Sequence, residues 1–172
     1  MRVIGIDPGL TITGFGIVER HQGRLRAVEF GAVRTPADLP AAARLARLRA
    51  ALDDVMKNSG ADVAAVERLF FNANARTAMA VGQAAGIALA CAAERGLAVH
   101  DYTPLEVKLS VVGFGGATKQ QVQSLVAALL GLDGPPRPAD AADACALAIC
   151  HLNRSGLERA VAAAEGRGKA AG

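Results

Sequence analysis

Val3-Ile4-Gly5-Ile6-Asp7-Pro8-Gly9 is a short apolar run that stops at an acid and a turn. It reads as a buried strand that delivers Asp7 to a loop, since Pro and Gly punctuate the chain there. The pattern returns at Asp62 to Val66, a second short apolar run that ends in Glu67. Between the two, Thr13 to Glu19 and Leu25 to Thr35 have strand character. The polar His21-Gln22-Gly23 joins them, so the first three strands are expected to form an antiparallel meander. Pro36 to Pro40 then breaks the chain. From Ala41 to Lys57, Leu45, Leu48, Leu52, Val55 and Met56 recur at helical spacing, which predicts an amphipathic helix ending near Asn58-Ser59-Gly60.

Beyond Glu67, Arg76 to Arg95 is an Ala-rich helix closed by Gly96, and Leu97 to His100 is a further strand-like run. Gly82 and Gly86, four apart on that helix, would let another element approach closely; a dimer interface and ordinary helix-on-sheet packing both fit. Thr103-Pro104-Leu105-Glu106 and Thr118-Lys119-Gln120-Gln121 are capping boxes that start two more helices. Gly113-Phe114-Gly115-Gly116 between them reads as a flexible loop. Gly131 to Pro138 is punctuation, Ala139 to Leu152 a last helix, and the stretch from Ser155 is expected to fray. Three strands, helix, strand, helix, strand and then helices give an α/β fold with a five-stranded mixed sheet covered by helices. One domain over residues 1–154 and a flexible tail over 155–172 are expected.

Lys and Arg number 19 against 16 Asp and Glu, a formal +3 that suits a polyanionic partner without requiring one. Cys91, Cys145 and Cys150 are odd in number and irregular in spacing, so buried thiols in a reducing compartment are expected rather than a disulfide framework. The chain reaches Asp7 before a signal-length apolar run develops, and no later run of about 18 apolar residues occurs. A cytoplasmic protein is expected.

Asp7 and Glu67 close separate strands, and ligands of α/β sheets gather at such ends. Asp140 and Asp143, three apart on the last helix, project from one face. Four carboxylates with no cysteine or histidine cluster favour hard ions, Mg²⁺ or Mn²⁺. A pair of such ions suits in-line phosphodiester hydrolysis. Structural roles compete: Asp7 as a cap of its turn, Glu67 as the start of a loop, Asp140 as a complement to the helix dipole.

The motifs together resemble the RuvC family of Holliday-junction resolvases. They are Ile4-Gly5-Ile6-Asp7-Pro8-Gly9 with Thr11 and Gly14, Val66-Glu67 followed by Phe70, Val111-Val112-Gly113, Lys119, and Ala139-Asp140-Ala141-Ala142-Asp143-Ala144, in the family's order over roughly residues 1–154. The resemblance implies a ribonuclease-H-like fold and two Mg²⁺ ions held by Asp7, Glu67, Asp140 and Asp143. It implies a homodimer that cuts a four-way DNA junction by paired symmetric nicks, and the RuvA-RuvB branch-migration complex as a partner. It places Lys108 and Lys119 near the scissile phosphate and selects Phe70, rather than Phe71, as a wedge among unpaired bases. Arg76 is a further phosphate-contact candidate. Without the resemblance, Lys108 and Lys119 read as solvated helix lysines.

Three other activities fit parts of the pattern: an actin-like phosphotransferase built on Asp7 to Thr11, a nuclease of RNA, and a protein that shapes junctions without cutting them. Cys145, Cys150 and His151 do not converge on a zinc site by spacing, and read as buried thiols and a surface histidine. Arg44, Arg47 and Arg49 read as a solvated helix face.

Overall fold

The computed structural model describes residues 1–68 and 75–170, with side chains described outside 75–77 and 158–170. Strands β1 (Arg2–Asp7), β2 (Ile12–His21) and β3 (Arg24–Arg34) form the expected meander. Its β2–β3 turn places Gln22 and Gly23 at φ 49° and 80°, the left-handed pair that matches the twist of a tight hairpin. Helix α1 (Ala41–Ser59), strand β4 (Val63–Glu67), helix α2 (Ala75–Glu94) and strand β5 (Ala98–Tyr102) follow, then α3 (Pro104–Val112), α4 (Lys119–Leu130) and α5 (Ala139–Ala170). The sheet order is β3-β2-β1-β4-β5, with β1, β4 and β5 parallel and β2 antiparallel to both of its neighbours.

Alternation along the strands sorts the core into two layers. Ile4, Ile6, Ile17, Ala64 and Val66 face Leu48, Leu52 and Met56 of α1 and Ala84, Ala88 and Cys91 of α2. On the other face, Val3, Val18 and Ala65 meet Val107 and Val111 of α3, Val122 and Val126 of α4, and the Ala- and Cys-rich face of α5. Both expected capping boxes form: Thr103 Oγ1 accepts from the Glu106 amide and Thr118 Oγ1 from the Gln121 amide, each returned by the Glu or Gln side chain. These caps fix where α3 and α4 begin, and hence where Lys108 and Lys119 stand.

Helix α5 continues past the expected end at Leu152, to Ala170. The low apolar content after Ser155 argues against burial but not against helix, because Ala, Glu and Arg are strong helix formers. His151 also departs from expectation. It is buried, 5% exposed, with Nδ1 2.7 Å from the Tyr102 hydroxyl, because α5 turns that position toward β5. The three cysteines are buried and free, in agreement with their irregular spacing.

Candidate active site

β1 and β4 are adjacent and parallel with Ile6 opposite Val66, so Asp7 and Glu67 emerge side by side at the carboxyl edge of the sheet. Helix α5 brings its acids to the same place by an unusually close approach. Gly14 is the β2 partner of Asp7, and a Cβ built on it would stand 2.0 Å from the Asp140 carbonyl oxygen. Gly5 and Gly16 admit the backbones of Ala144 and Cys145 in the same way. The helix therefore rests backbone to backbone on the sheet. Asp7, Glu67 and Asp143 line one cavity with Lys108 and Lys119, while Asp7 and Asp140 line the adjoining one.

The turn that carries Asp7 is held by hydroxyls. Buried Thr13 accepts from the Gly9 amide at 3.3 Å and donates to the Gly9 carbonyl at 2.6 Å. Thr35, also buried, donates to the Leu10 carbonyl, and Arg44 bridges the hydroxyls of Thr35 and Thr11 at 2.9 and 2.8 Å. Asp7 is thus not needed as the cap of its own turn. The clamp of Arg44 on Thr11 and Thr35 corrects the reading of this arginine as part of a solvated face. Helical periodicity says nothing about which loop lies beside a helix.

Electrostatics in this corner are congested. Burial first, then the charges of Glu67, Asp143 and Asp140, push the Asp7 carboxyl up to about 7, with Lys119 pulling the other way. Glu67 is also raised, chiefly by burial and then by Asp143, against Lys119 and a hydrogen bond with Asp7. Lys119 Nζ lies 2.5 Å from Asp143 Oδ2, and that bond raises its ammonium above the ordinary lysine value. Among the described residues no three His, Cys, Asp or Glu side chains form a ready metal cluster, and Asp143 is paired with Lys119. The donor set nevertheless fits hard divalent ions: all four groups are carboxylates, and one ammonium leaves their charge uncompensated.

The raised Asp7 value makes a prediction about stability. An acid that titrates near 3.9 unfolded and near 7 folded resists ionisation in the native state, so the contribution of Asp7 to metal-free stability is fully present below about pH 4 and is lost as pH rises through 7. The loss should be on the order of 2–4 kcal/mol, because each tenfold change in proton affinity is worth about 1.36 kcal/mol. Urea unfolding in chelator at pH 5 and pH 8 measures it. A divalent ion should restore more stability at pH 8 than at pH 5, and equal effects at both would exclude a shared acidic site.

Lys108 lines the same cavity as Asp7, Glu67, Asp143 and Lys119. Phe70 and Phe71 lie outside the described residues, and Arg76 is among those whose side chains are not described.

A family model described as "Crossover junction endodeoxyribonuclease RuvC" matches residues 3–151. A curated protein of that name from Moorella thermoacetica is 51% identical over 153 residues, covering 89% of this chain and 92% of the relative. Among solved structures, Thermus thermophilus RuvC superposes with TM-score 0.85 at 35% identity, covering 92% of this chain and 97% of that one. The same bacterium's RuvC in complex with a Holliday junction substrate superposes with TM-score 0.83 at 34% identity, covering 91% and 96%.

Proposed function

The chain belongs to the RuvC family of crossover junction endodeoxyribonucleases, and from that premise we propose that it resolves four-way DNA junctions by paired, symmetric, metal-dependent nicks. The observation that supports the reading is that Asp7, Glu67 and Asp143, from β1, β4 and α5, line one cavity with Lys119, while Asp140 shares the adjoining one with Asp7. These four carboxylates would hold two Mg²⁺ ions, with Mn²⁺ as a substitute. When bound, such ions supply Lewis-acid activation of water and neutralise charge on the scissile phosphate. Lys108 and Lys119 hold the phosphodiester against the carboxylates and offset charge that develops in the transition state. Lys119, paired with Asp143 in the metal-free site, would be free to do so where the carboxylates hold an ion.

A nuclease domain over residues 1–154 contains every one of these groups. Homodimerisation would set two such sites on opposed strands of a symmetric substrate. The outer face of α2 supports this: Met79 and Leu89 are 66% and 43% exposed, and Cβ atoms on Gly82 or Gly86 would meet nothing within 4 Å. Phe70, directly after the acid of β4, is the proposed wedge at the crossover, and the RuvA-RuvB complex the proposed partner. The proposed location is the cytoplasm, where the substrate and that partner would be met; no described helix is long and apolar enough to cross a membrane.

A synthetic four-way junction incubated with and without Mg²⁺ tests the reading. Two symmetric nicks are expected only with the ion, and sealing of the products by a ligase confirms their symmetry. Affinity should fall steeply with salt, as expected for phosphate contacts. Equal cutting of plain duplex or RNA would sink the junction assignment.

A further inference from the structure

The loop between α3 and α4 carries an aromatic side chain that packing does not account for. Phe114 is 65% exposed, although burying a phenylalanine is worth about 2–3 kcal/mol. Of its glycine neighbours, Gly116 clears space for the ring, while Gly115 lies against Leu105 and Leu109. A Cβ on Gly116 would lie 2.6 Å from the Phe114 ring, so the ring lies against that backbone with its remaining surface toward solvent. The loop closes as a turn, the Ala117 amide donating to the Phe114 carbonyl at 3.2 Å. It is a defined platform where the sequence suggested only flexibility.

Chain reach fixes where this platform stands. From the turn to Lys119 is two residues, so the Phe114 carbonyl lies within about 10 Å of the Lys119 backbone. The Lys119 ammonium in turn touches Asp143. At a rise of about 3.4 Å per nucleotide, Phe114 falls within about five nucleotides of a phosphate at the carboxylates. Lys108 and Lys119, on the two helices that flank the loop, make the surroundings suited to a polyanion.

We infer that Phe114 is a second substrate-facing aromatic of the site, which stacks on a base of the DNA strand within about five nucleotides of the cut bond. Stacking is sequence-tolerant because every base has a π-face, and it complements phosphate contacts that cannot sense whether bases are paired. The inference rests on the nuclease reading, but its test does not depend on cleavage.

The experiment uses full-length protein and junctions carrying 2-aminopurine at each of five positions on either side of the cut, with Ca²⁺ in place of Mg²⁺. Wild type and Phe114→Trp should change the fluorescence at one or two of these positions, and Phe114→Ala should not. In Mg²⁺, Phe114→Ala should cut about 10-fold more slowly and Phe114→Trp within about 2-fold of wild type. Melting temperatures should agree within a degree or two, since the side chain is exposed. Identical fluorescence for wild type and Phe114→Ala overturns the inference, and so does a melting loss that marks the ring as a packing group. Failure of wild type to cut in Mg²⁺ is instead a failure of the nuclease reading, and the fluorescence comparison still decides the role of Phe114.

Discussion

Asp7→Asn is expected to lower junction cleavage by at least about 10³-fold while leaving junction affinity within about 2-fold of wild type. The substitution keeps the shape of the side chain and removes the charge on which Glu67, Asp140 and Asp143 converge. Losing one of four anionic ligands forfeits several kcal/mol of charge stabilisation in the transition state, and about 1.36 kcal/mol corresponds to one decade of rate. The basic groups that hold phosphate are untouched, and removing one negative charge from their midst does not weaken them. Stability gives an independent reading. Without metal at pH 8 the variant should unfold at a higher temperature than wild type, because an ionised Asp7 is repelled by three acids and penalised by burial. If Asp7 were a structural cap, the variant would instead melt lower and cut normally. The Thr13 hydroxyl already satisfies Gly9 on both its amide and its carbonyl, which leaves no such role to replace. Gel-shift affinity, single-turnover cleavage and thermal melting on one preparation separate the outcomes.

The two strand-end acids are legible in the sequence because a buried parallel strand is a short apolar run, and the residue that ends the run is the one the sheet offers to solvent. Parallel pairing of β1 with β4 then sets Asp7 beside Glu67 without further instruction. The helix start of α5 is equally plain, since two acids three apart among alanines can have few other neighbours. What periodicity does not give is the distance between layers. Gly5, Gly14 and Gly16 read only as parts of motifs and strands, yet each removes a Cβ that would otherwise hold α5 away from the sheet. Nor does it give lateral neighbours between elements. Arg44 on Thr11 and Thr35, and His151 against Tyr102, depend on which loop and which strand a helix happens to lie over. The extent of α5 escapes for a different reason: apolar content reports burial, and a helix that leaves the core keeps its backbone bonds without it.

The close approach of α5 leads to the second large effect, at a position without any functional group. Gly14→Ala adds one methyl carbon 2.0 Å from the Asp140 carbonyl oxygen and 2.3 Å from its carbonyl carbon. Both are backbone atoms and cannot rotate aside, and non-bonded carbon atoms settle at about 3.5–4.0 Å. The first turn of α5 must therefore withdraw from β2 by at least about 1 Å, and Asp140 and Asp143 withdraw with it. A displacement of that size at a reacting centre costs about 10²-fold in rate. The rest of α5 remains anchored through Ala148, Ile149 and Leu152, all fully buried, so the fold should survive with a loss on the order of 2 kcal/mol. Because the damage is to ligand spacing rather than ligand charge, it should appear as a higher Mg²⁺ concentration for half-maximal cleavage. That sets it apart from Asp7→Asn, which added Mg²⁺ should not rescue. Gly134→Ala is the matched control: a Cβ there meets nothing within 4 Å, and neither rate nor stability should change. Wild-type rate and Mg²⁺ dependence in folded Gly14→Ala would mean that the acids of α5 act from a place other than the one its contact with β2 gives them.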